Sequence, residues 1–158
     1  MLRPAALEVL TPRRPLSFRQ VSKDFKDFVT AIGECKSKQE EDRIMLGEVA
    51  VLKAKFLEKD VSKKKMKELL VRLVYVEMLG HDASFGYIQA VQLTASTNLL
   101  QKRVGYLASS LTLSPDNDFR MMLVNQMQRD LKSDNFLEVW AGLSAFMKLV
   151  RACRYDYY

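Results

Sequence analysis

Proline is almost confined to the beginning of this 158-residue chain. Pro4, Pro12 and Pro15 lie before residue 16, and Pro115 is the fourth and last proline. Because proline removes a backbone donor and clashes with the preceding helical turn, residues 1–16 are predicted to form a disordered tail. Their arginines and scarcity of acidic residues would also fit a transit peptide, which the prolines disfavour. The rest of the chain is free to form long helices.

Seven amphipathic helices are predicted after this tail. Apolar residues recur every three or four positions in each of them, and no segment alternates with the period of a strand. Most of the helices begin at a residue that suits a helix N-cap, and Ser17 with Gln20 and Ser37 with Glu40 have the spacing of a capping box. The predicted starts are Ser17, Ser37, Asp60 or Ser62, Ser84, Asn98, Ser114 and the break at 133–135.

The same spacing predicts the core. The third helix is apolar almost all round and ends at Gly80, so it is expected to contact neighbours on more than one side. Trp140 is predicted to be core or a contact with a following repeat. The other predicted stripes are Met45, Val49, Leu52 and Phe56 in the second helix, Leu100, Val104, Leu107 and Leu111 in the fifth, Phe119, Leu123, Met127 and Leu131 in the sixth, and Phe136, Trp140, Leu143, Met147 and Val150 in the seventh.

Short links between helices fit either a compact bundle or a solenoid of helix pairs. Pairs that begin near residues 60 and 98 are about 38 positions apart, close to the roughly 40 to 47 residues of armadillo and HEAT repeats. The predicted fold class is therefore all-α, a right-handed α-solenoid of armadillo- or HEAT-like helix pairs with about seven helices.

A dense group of lysines precedes the third helix. Residues 53–67 contain seven lysines and two acidic residues, in a chain whose formal net charge is +6. Each lysine beside an anionic lipid surface contributes about 1 kcal/mol of binding. The simpler alternative is a solvated helix entrance, although lysines there oppose the helix dipole. A basic helical repeat that binds nucleic acid or another anionic partner is a further alternative, disfavoured because lysine dominates the patch without interleaved aromatic or arginine residues.

The sequence contains no set of residues with the pattern of an active site. His81, Asp82 and Ser84 lie in one short loop, whereas a catalytic triad needs side chains that converge from separate elements, so a loop-structuring role is predicted for them. Cys35 and Cys153 lack the spacing of a metal site and are too few for a disulfide framework, which favours a reducing compartment. We therefore expect no enzymatic activity, no cofactor and no metal.

Two segments resemble the amino-terminal trunk of the large adaptins, which are subunits of heterotetrameric coat adaptor complexes. These segments are RLVYVEMLGHDASFGYIQAVQL at 72–93 and NLLQKRVGYLASSLTL at 98–113. Together with RDLKSDNFLEV at 129–139 they are most similar to the epsilon adaptins, the large subunits of adaptor protein complex 4. The resemblance covers about residues 24–150, with unchanged lengths between the matching segments.

The resemblance implies three regions. Residues 1–16 are the disordered tail, 17–150 are a partial adaptin α-solenoid, and 151–158 are a divergent C-terminal tail. Since large adaptins are several times longer, the chain is expected to be a fragment, a truncated product or a splice form. A solenoid that stops this early would expose the face meant for its next repeat.

The function that the resemblance implies is that of a non-enzymatic adaptor subunit in vesicle-mediated intracellular protein transport. The expected partners are a sigma small subunit, a beta large subunit, a mu subunit, an Arf-family GTPase and an anionic membrane surface, and no nucleic acid is expected. The expected location is cytoplasmic, peripheral on trans-Golgi network or coated-vesicle membranes.

The resemblance also assigns candidate binding residues. SKKK at 62–65 is similar to the phosphoinositide-binding lysine run of alpha adaptin, which makes Lys63, Lys64, Lys65 and Lys67 the candidate contacts for a lipid headgroup. In alpha and gamma adaptins an arginine near the end of the first helix helps to receive the acidic dileucine cargo signal. Gly33 stands at that place here, so this recognition would lack its guanidinium donor.

Overall fold

The computed structural model describes residues 22–114 and 116–155, with side-chain surroundings up to residue 149. All regular structure in these two ranges is helical, which confirms the all-α fold class. The chain divides into two units, residues 1–34, which contain α1, and residues 35–158, which contain α2 to α7. The helices are α1 (Lys23–Glu34), α2 (Lys38–Leu57), α3 (Lys63–Met78), α4 (Tyr87–Thr94), α5 (Leu99–Thr112), α6 (Phe119–Leu131) and α7 (Phe136–Tyr155).

Three of the predicted helix starts are confirmed by their caps. The Ser37 hydroxyl accepts a hydrogen bond from the Glu40 amide at 3.2 Å, and the Ser62 hydroxyl accepts one from the Lys65 amide at 3.3 Å. Asn98 Oδ1 accepts from the amides of the second and third residues of α5, at 3.0 and 3.3 Å. These side chains satisfy amide groups that have no partner inside the helix.

Two other predicted starts are wrong. The start predicted at Ser17 lies outside the described residues, within which α1 begins at Lys23. Ser84 begins a 3₁₀ turn, Ser84–Gly86, that leads into α4. The helix predicted from Ser114 begins at Phe119, because Asn117 forms a local turn: its amide donates to the Ser114 carbonyl at 3.1 Å, and its side chain accepts from the Phe119 amide.

Helix α3 packs against α2, α4 and α5. This confirms the prediction that it contacts neighbours on more than one side. Gly80, with φ +85°, follows the end of this helix in the left-handed conformation that glycine tolerates. The buried apolar residues of α3 are Leu69, Leu70, Leu73, Val74 and Val76.

Helices α4 and α5 approach each other closely at Gly105. A Cβ atom at this position would lie 2.7 Å from the backbone nitrogen of Thr94 and 3.0 Å from the carbonyl oxygen of Ala90, both in α4. Backbone atoms cannot move aside as a flexible side chain can, so only glycine fits here. Helix α5 also packs against α3 and α7, and α6 packs against α7, which gives consecutive helix pairs joined by short links.

A buried polar network joins α5, α6 and α7. The Asp130 carboxylate accepts hydrogen bonds from Lys102 Nζ at 2.7 Å and from the Tyr106 hydroxyl at 2.6 Å, and Gln126 Nε2 donates to it at 3.0 Å. Glu138 of α7 lies 3.4 Å from Lys102 Nζ. Lys102 and Asp130 are almost fully buried, so their mutual attraction is little screened by water.

The predicted stripe of α5 is only partly correct because of this network: Val104 and Leu107 are partly buried. Leu100 and Leu111 are exposed, and the buried face of α5 instead contains Lys102, Tyr106 and small residues. A buried lysine is tolerated when a carboxylate compensates its charge, and Asp130 supplies that carboxylate from another helix.

The predicted stripe of α7 also faces outward. Phe136, Trp140 and Met147 are 75%, 64% and 71% exposed, so Trp140 is not part of the described core. Small residues, with Leu149, line the inner face of α7, because this helix lies close to α6 and α5. Val150 lies outside the residues whose side chains are described, and α7 continues past the predicted boundary at 150 to Tyr155. The buried residues of α7 are Ala141, Gly142, Ala145 and Leu149.

Replacing Gly105 with Ala should destabilise the protein by about 1–3 kcal/mol, since the added methyl group clashes with the backbone of α4. Gly47 is the matched control, because it lies inside α2 with nothing within 4 Å of an added Cβ. Gly47→Ala should stabilise by about 0.5–1 kcal/mol through helix propensity alone. Urea unfolding followed by far-ultraviolet circular dichroism measures both changes. Equal effects at the two positions would contradict the close approach at Gly105.

The stability of the protein should fall above pH 10 because of Tyr106. Burial, and then the hydrogen bond to Asp130 and its negative charge, raise the pKa of Tyr106 above its ordinary value of 10.0. Above pH 10 the unfolded chain therefore releases the Tyr106 hydroxyl proton, while the folded chain keeps it. The contribution of Tyr106 to the free energy of unfolding declines as pH rises from the unfolded pKa toward the folded one.

Tyr106→Phe should cost about 1–3 kcal/mol at pH 8, where the hydroxyl still donates to Asp130. The gap in the free energy of unfolding between this variant and the original protein should then shrink by about 1.4 kcal/mol per pH unit above 10. Chemical unfolding at pH 8, 10 and 11 measures the gap. A gap that stays constant over this range would show that Tyr106 is not held protonated by the fold.

Candidate functional site

The predicted lysines gather where α2 ends and α3 begins. Glu58 to Ser62 form the non-helical link between the two helices. We call the seven lysines at this junction the lysine cluster; five are exposed, while Lys55 and Lys67 are partly buried. The members of the lysine cluster are Lys53, Lys55, Lys59, Lys63, Lys64, Lys65 and Lys67.

The first turn of α3 presents three of these lysines around the helix axis. Successive residues of a helix are rotated by about 100°, so Lys63, Lys64 and Lys65 surround the helix start instead of lining one face. No acidic residue lies in this first turn. The positive end of the helix dipole therefore adds to the lysine charges, and an anion at this end of α3 would be stabilised by both.

Few carboxylates neutralise the lysine cluster. Lys65 Nζ lies 3.7 Å from Glu58, but both side chains are about half exposed, so this ion pair contributes little. Lys53 Nζ lies 5.0 Å from the centre of the Phe85 ring, a cation–π contact. Within the described residues, Lys63, Lys64 and Lys67 form no ion pair.

A buried ion pair fixes α2 against α3. Arg72 Nε donates to Glu48 Oε1 at 2.5 Å, and Arg72 Nη2 donates to Glu48 Oε2 at 2.7 Å. Both side chains are only 8% exposed. This two-point geometry defines the orientation as well as the distance between the partners, so it helps to set where the link between the two helices lies.

The C-terminal end of α2 is held by α4 and the 3₁₀ turn. The rings of Phe56 and Phe85 are 5.9 Å apart between centres, and Gln89 Nε2 donates to the Phe56 carbonyl oxygen at 3.2 Å. This hydrogen bond satisfies one of the last carbonyl groups of α2. Buried contacts thus support the lysine cluster on both of its helices.

The loop that contains His81, Asp82 and Ser84 has local hydrogen bonds. Asp82 Oδ1 accepts from the Ser84 amide at 2.9 Å, and hydrogen bonds from Ser84 are the main reason that the pKa of Asp82 lies below its ordinary value. His81 Nε2 lies 3.7 Å from Asp42 and thus faces α2. This geometry is that of a structured loop.

Gly33 is exposed near the end of α1, and an added Cβ would meet nothing within 4 Å. An arginine would therefore fit at this position. What the chain lacks there is the guanidinium group and not the space for it. The expectation that acidic dileucine recognition lacks its usual donor stays a prediction.

The comparison with protein families matches residues 46–152 to the adaptin N terminal region. This match covers α3 to α6 entirely and most of α2 and α7. The chain belongs to the adaptin family. Its helix pairs are thus part of an α-solenoid, as predicted.

Relatives from several organisms support this membership. The chain is 57% identical over 129 residues to the AP-4 complex subunit epsilon of Arabidopsis thaliana, and these residues are 82% of this chain and 14% of that protein. It is 43% identical over 127 residues to the same subunit of Dictyostelium discoideum, 80% of this chain and 12% of that protein. It is 45% identical over 121 residues to AP-4 complex subunit epsilon-1 of Homo sapiens, 77% of this chain and 11% of that protein.

The chain thus spans only about one-seventh or less of the length of these relatives. Family membership does not favour the alternative of a nucleic-acid-binding repeat.

None of the helices in the part of the chain that the structure describes has the length and apolar character needed to span a membrane.

The position of the lysine cluster could be predicted from the sequence, but the ion pair that supports it was not predicted. The signal was present, because Arg72 interrupts the apolar run LLVRLV and Glu48 lies beside the apolar stripe of α2. A charged residue within an apolar stripe indicates a buried partner, although it does not say which residue that partner is.

Proposed function

We propose that this chain acts as a large-subunit trunk segment of a heterotetrameric coat adaptor complex, without enzymatic activity of its own. The observation that supports this is its 57% identity to an AP-4 complex epsilon subunit through the helix pairs of the adaptin region. Helix pairs stacked in a solenoid provide extended surfaces for other proteins. The process is sorting of cargo in vesicle-mediated intracellular protein transport.

The proposed partners are those of a large adaptor subunit. They are a sigma small subunit, a beta large subunit, a mu subunit and an Arf-family GTPase. Several of the relatives are by name subunits of a complex, which supports binding to other subunits. The proposed location is the cytoplasmic side of trans-Golgi network or coated-vesicle membranes, where the complex is peripheral.

The proposal is tested by co-expression with a sigma small subunit of adaptor complex 4. We expect a one-to-one complex by size-exclusion chromatography with light scattering, because residues 46–152 match the adaptin N terminal region and stacked helix pairs provide extended surfaces for other proteins. Circular dichroism of the chain alone is the control for folding. A folded, monomeric chain that does not copurify with the small subunit would contradict the proposal.

We further propose that the lysine cluster contacts anionic lipid headgroups, with Lys63, Lys64, Lys65 and Lys67 as the main contacts. Its exposed ammonium groups and the uncompensated N-terminus of α3 support this role. These positive groups would also attract other phosphate-bearing partners. We propose a membrane surface because the relatives are adaptor subunits.

Changing Lys63, Lys64 and Lys65 together to Glu should weaken binding to vesicles of equal parts phosphatidylcholine and phosphatidylserine by about 100-fold or more, since each lysine contributes about 1 kcal/mol. Cosedimentation measures the affinity. The matched control replaces Arg103, Arg129 and Lys132 with Glu, which gives the same net charge from exposed residues outside the lysine cluster.

The control variant should keep most of the vesicle binding, and both variants should still copurify with the sigma subunit. Equal losses in the two variants would show that net charge, and not the lysine cluster, determines binding. Tight, salt-sensitive binding to RNA with no preference for anionic vesicles would favour the nucleic-acid alternative instead.

A further inference from the structure

Two helices of this protein begin with the same cap but differ in the acidic residues of their first turn. Ser37 and Ser62 are exposed N-caps, and each hydroxyl accepts a hydrogen bond from the amide three residues later, at 3.2 and 3.3 Å. Glu40 and Glu41 lie in the first turn of α2, where they complement the positive end of the helix dipole. The first turn of α3 contains lysines and no acidic residue.

The start of α3 therefore lacks the negative charge that the start of α2 has. We propose that Ser62 is a phosphorylation site, and that its phosphate supplies this charge and switches off the lysine cluster. The inference rests on the proposed lipid contact, which the phosphate would regulate. Ser37 provides the comparison, since it lies between Lys36 and Lys38 but the first turn of its helix already contains Glu40 and Glu41.

The position of Ser62 fits an acceptor of a phosphoryl group. Its side chain is exposed at the end of the non-helical link 58–62, so a protein kinase can reach it without unfolding a helix. The Ser62 hydroxyl oxygen attacks the γ-phosphorus of a nucleoside triphosphate held by the kinase. A new O–P bond forms, the bond to the bridging oxygen breaks, the nucleoside diphosphate leaves, and a base of the kinase takes the hydroxyl proton.

The phosphate would be stabilised where it forms. It stays beside the amide groups of the first turn of α3, which have no partner inside the helix; that of Lys65 already donates to the Ser62 oxygen. It also lies beside the ammonium groups of Lys63, Lys64 and Lys65. A phosphoserine adds about −1.5 to −2 charges at pH 7, so the net charge of residues 53–67 falls from +5 to about +3. The lysines then bind the phosphate within the protein and are less available to a membrane.

The test uses the full chain with phosphoserine incorporated at Ser62 or, as the matched control, at Ser37. The phosphate at Ser62 should weaken binding to vesicles of equal parts phosphatidylcholine and phosphatidylserine by about 10- to 30-fold. It should also leave the melting temperature unchanged or raised. The phosphate at Ser37 should give a lower melting temperature than the phosphate at Ser62, because Glu40 and Glu41 already lie in the first turn of α2, and it should change vesicle binding much less.

Occurrence of the modification is tested by phosphopeptide mapping of the chain after expression in eukaryotic cells, with Ser62→Ala as the control that removes the signal. Absence of phosphate at Ser62, equal affinity of the Ser62-phosphorylated and unmodified chains, or equal weakening by the two phosphoserines would each overturn the inference. If the unmodified chain does not bind the vesicles, the proposed lipid contact fails as well. Copurification with the sigma subunit remains an independent test of the adaptor role.

Discussion

The ion pair between Glu48 and Arg72 is the contact on which the basic surface depends. Both charges are withdrawn from water, and each compensates the charge of the other. Losing one partner from a buried pair of this kind typically costs about 3–5 kcal/mol, because the remaining charge stays buried without compensation. The pair therefore penalises any arrangement of α2 and α3 other than the observed one. The arrangement of α2 and α3 in turn determines where the link between them lies, together with its lysines and Ser62.

Charge compensation organises the second half of the molecule in the same way. Asp130 in α6 accepts hydrogen bonds from Lys102 and Tyr106 in α5, and Glu138 in α7 lies beside Lys102. Small residues then allow the helices to approach, as Gly105 does for α4. As a result the large apolar residues of α7 face outward, and its inner face is built mainly from alanine and glycine.

Much of the local structure could be predicted from the residues. The caps at Ser37, Ser62 and Asn98 act through hydrogen bonds within one turn, so a few letters of sequence suffice to identify them. The lysine cluster is also a local feature and was located by its charge. The predicted core of α7 and half of that of α5 were wrong, because apolar spacing does not show which face of a helix meets small residues or a buried polar network.

The sequence by itself determined the all-helical class, the caps of three helices, the position of the lysines and the likeness to adaptins. These depend on propensity, local hydrogen bonds and similarity between chains. Only the tertiary structure decided that Arg72 pairs with Glu48, that Lys102 and Tyr106 meet Asp130, and that Trp140 is exposed. These contacts join residues 24 or more positions apart or depend on which neighbour a helix face meets. The strength of such contacts depends on how deeply both partners are buried, which no local pattern specifies.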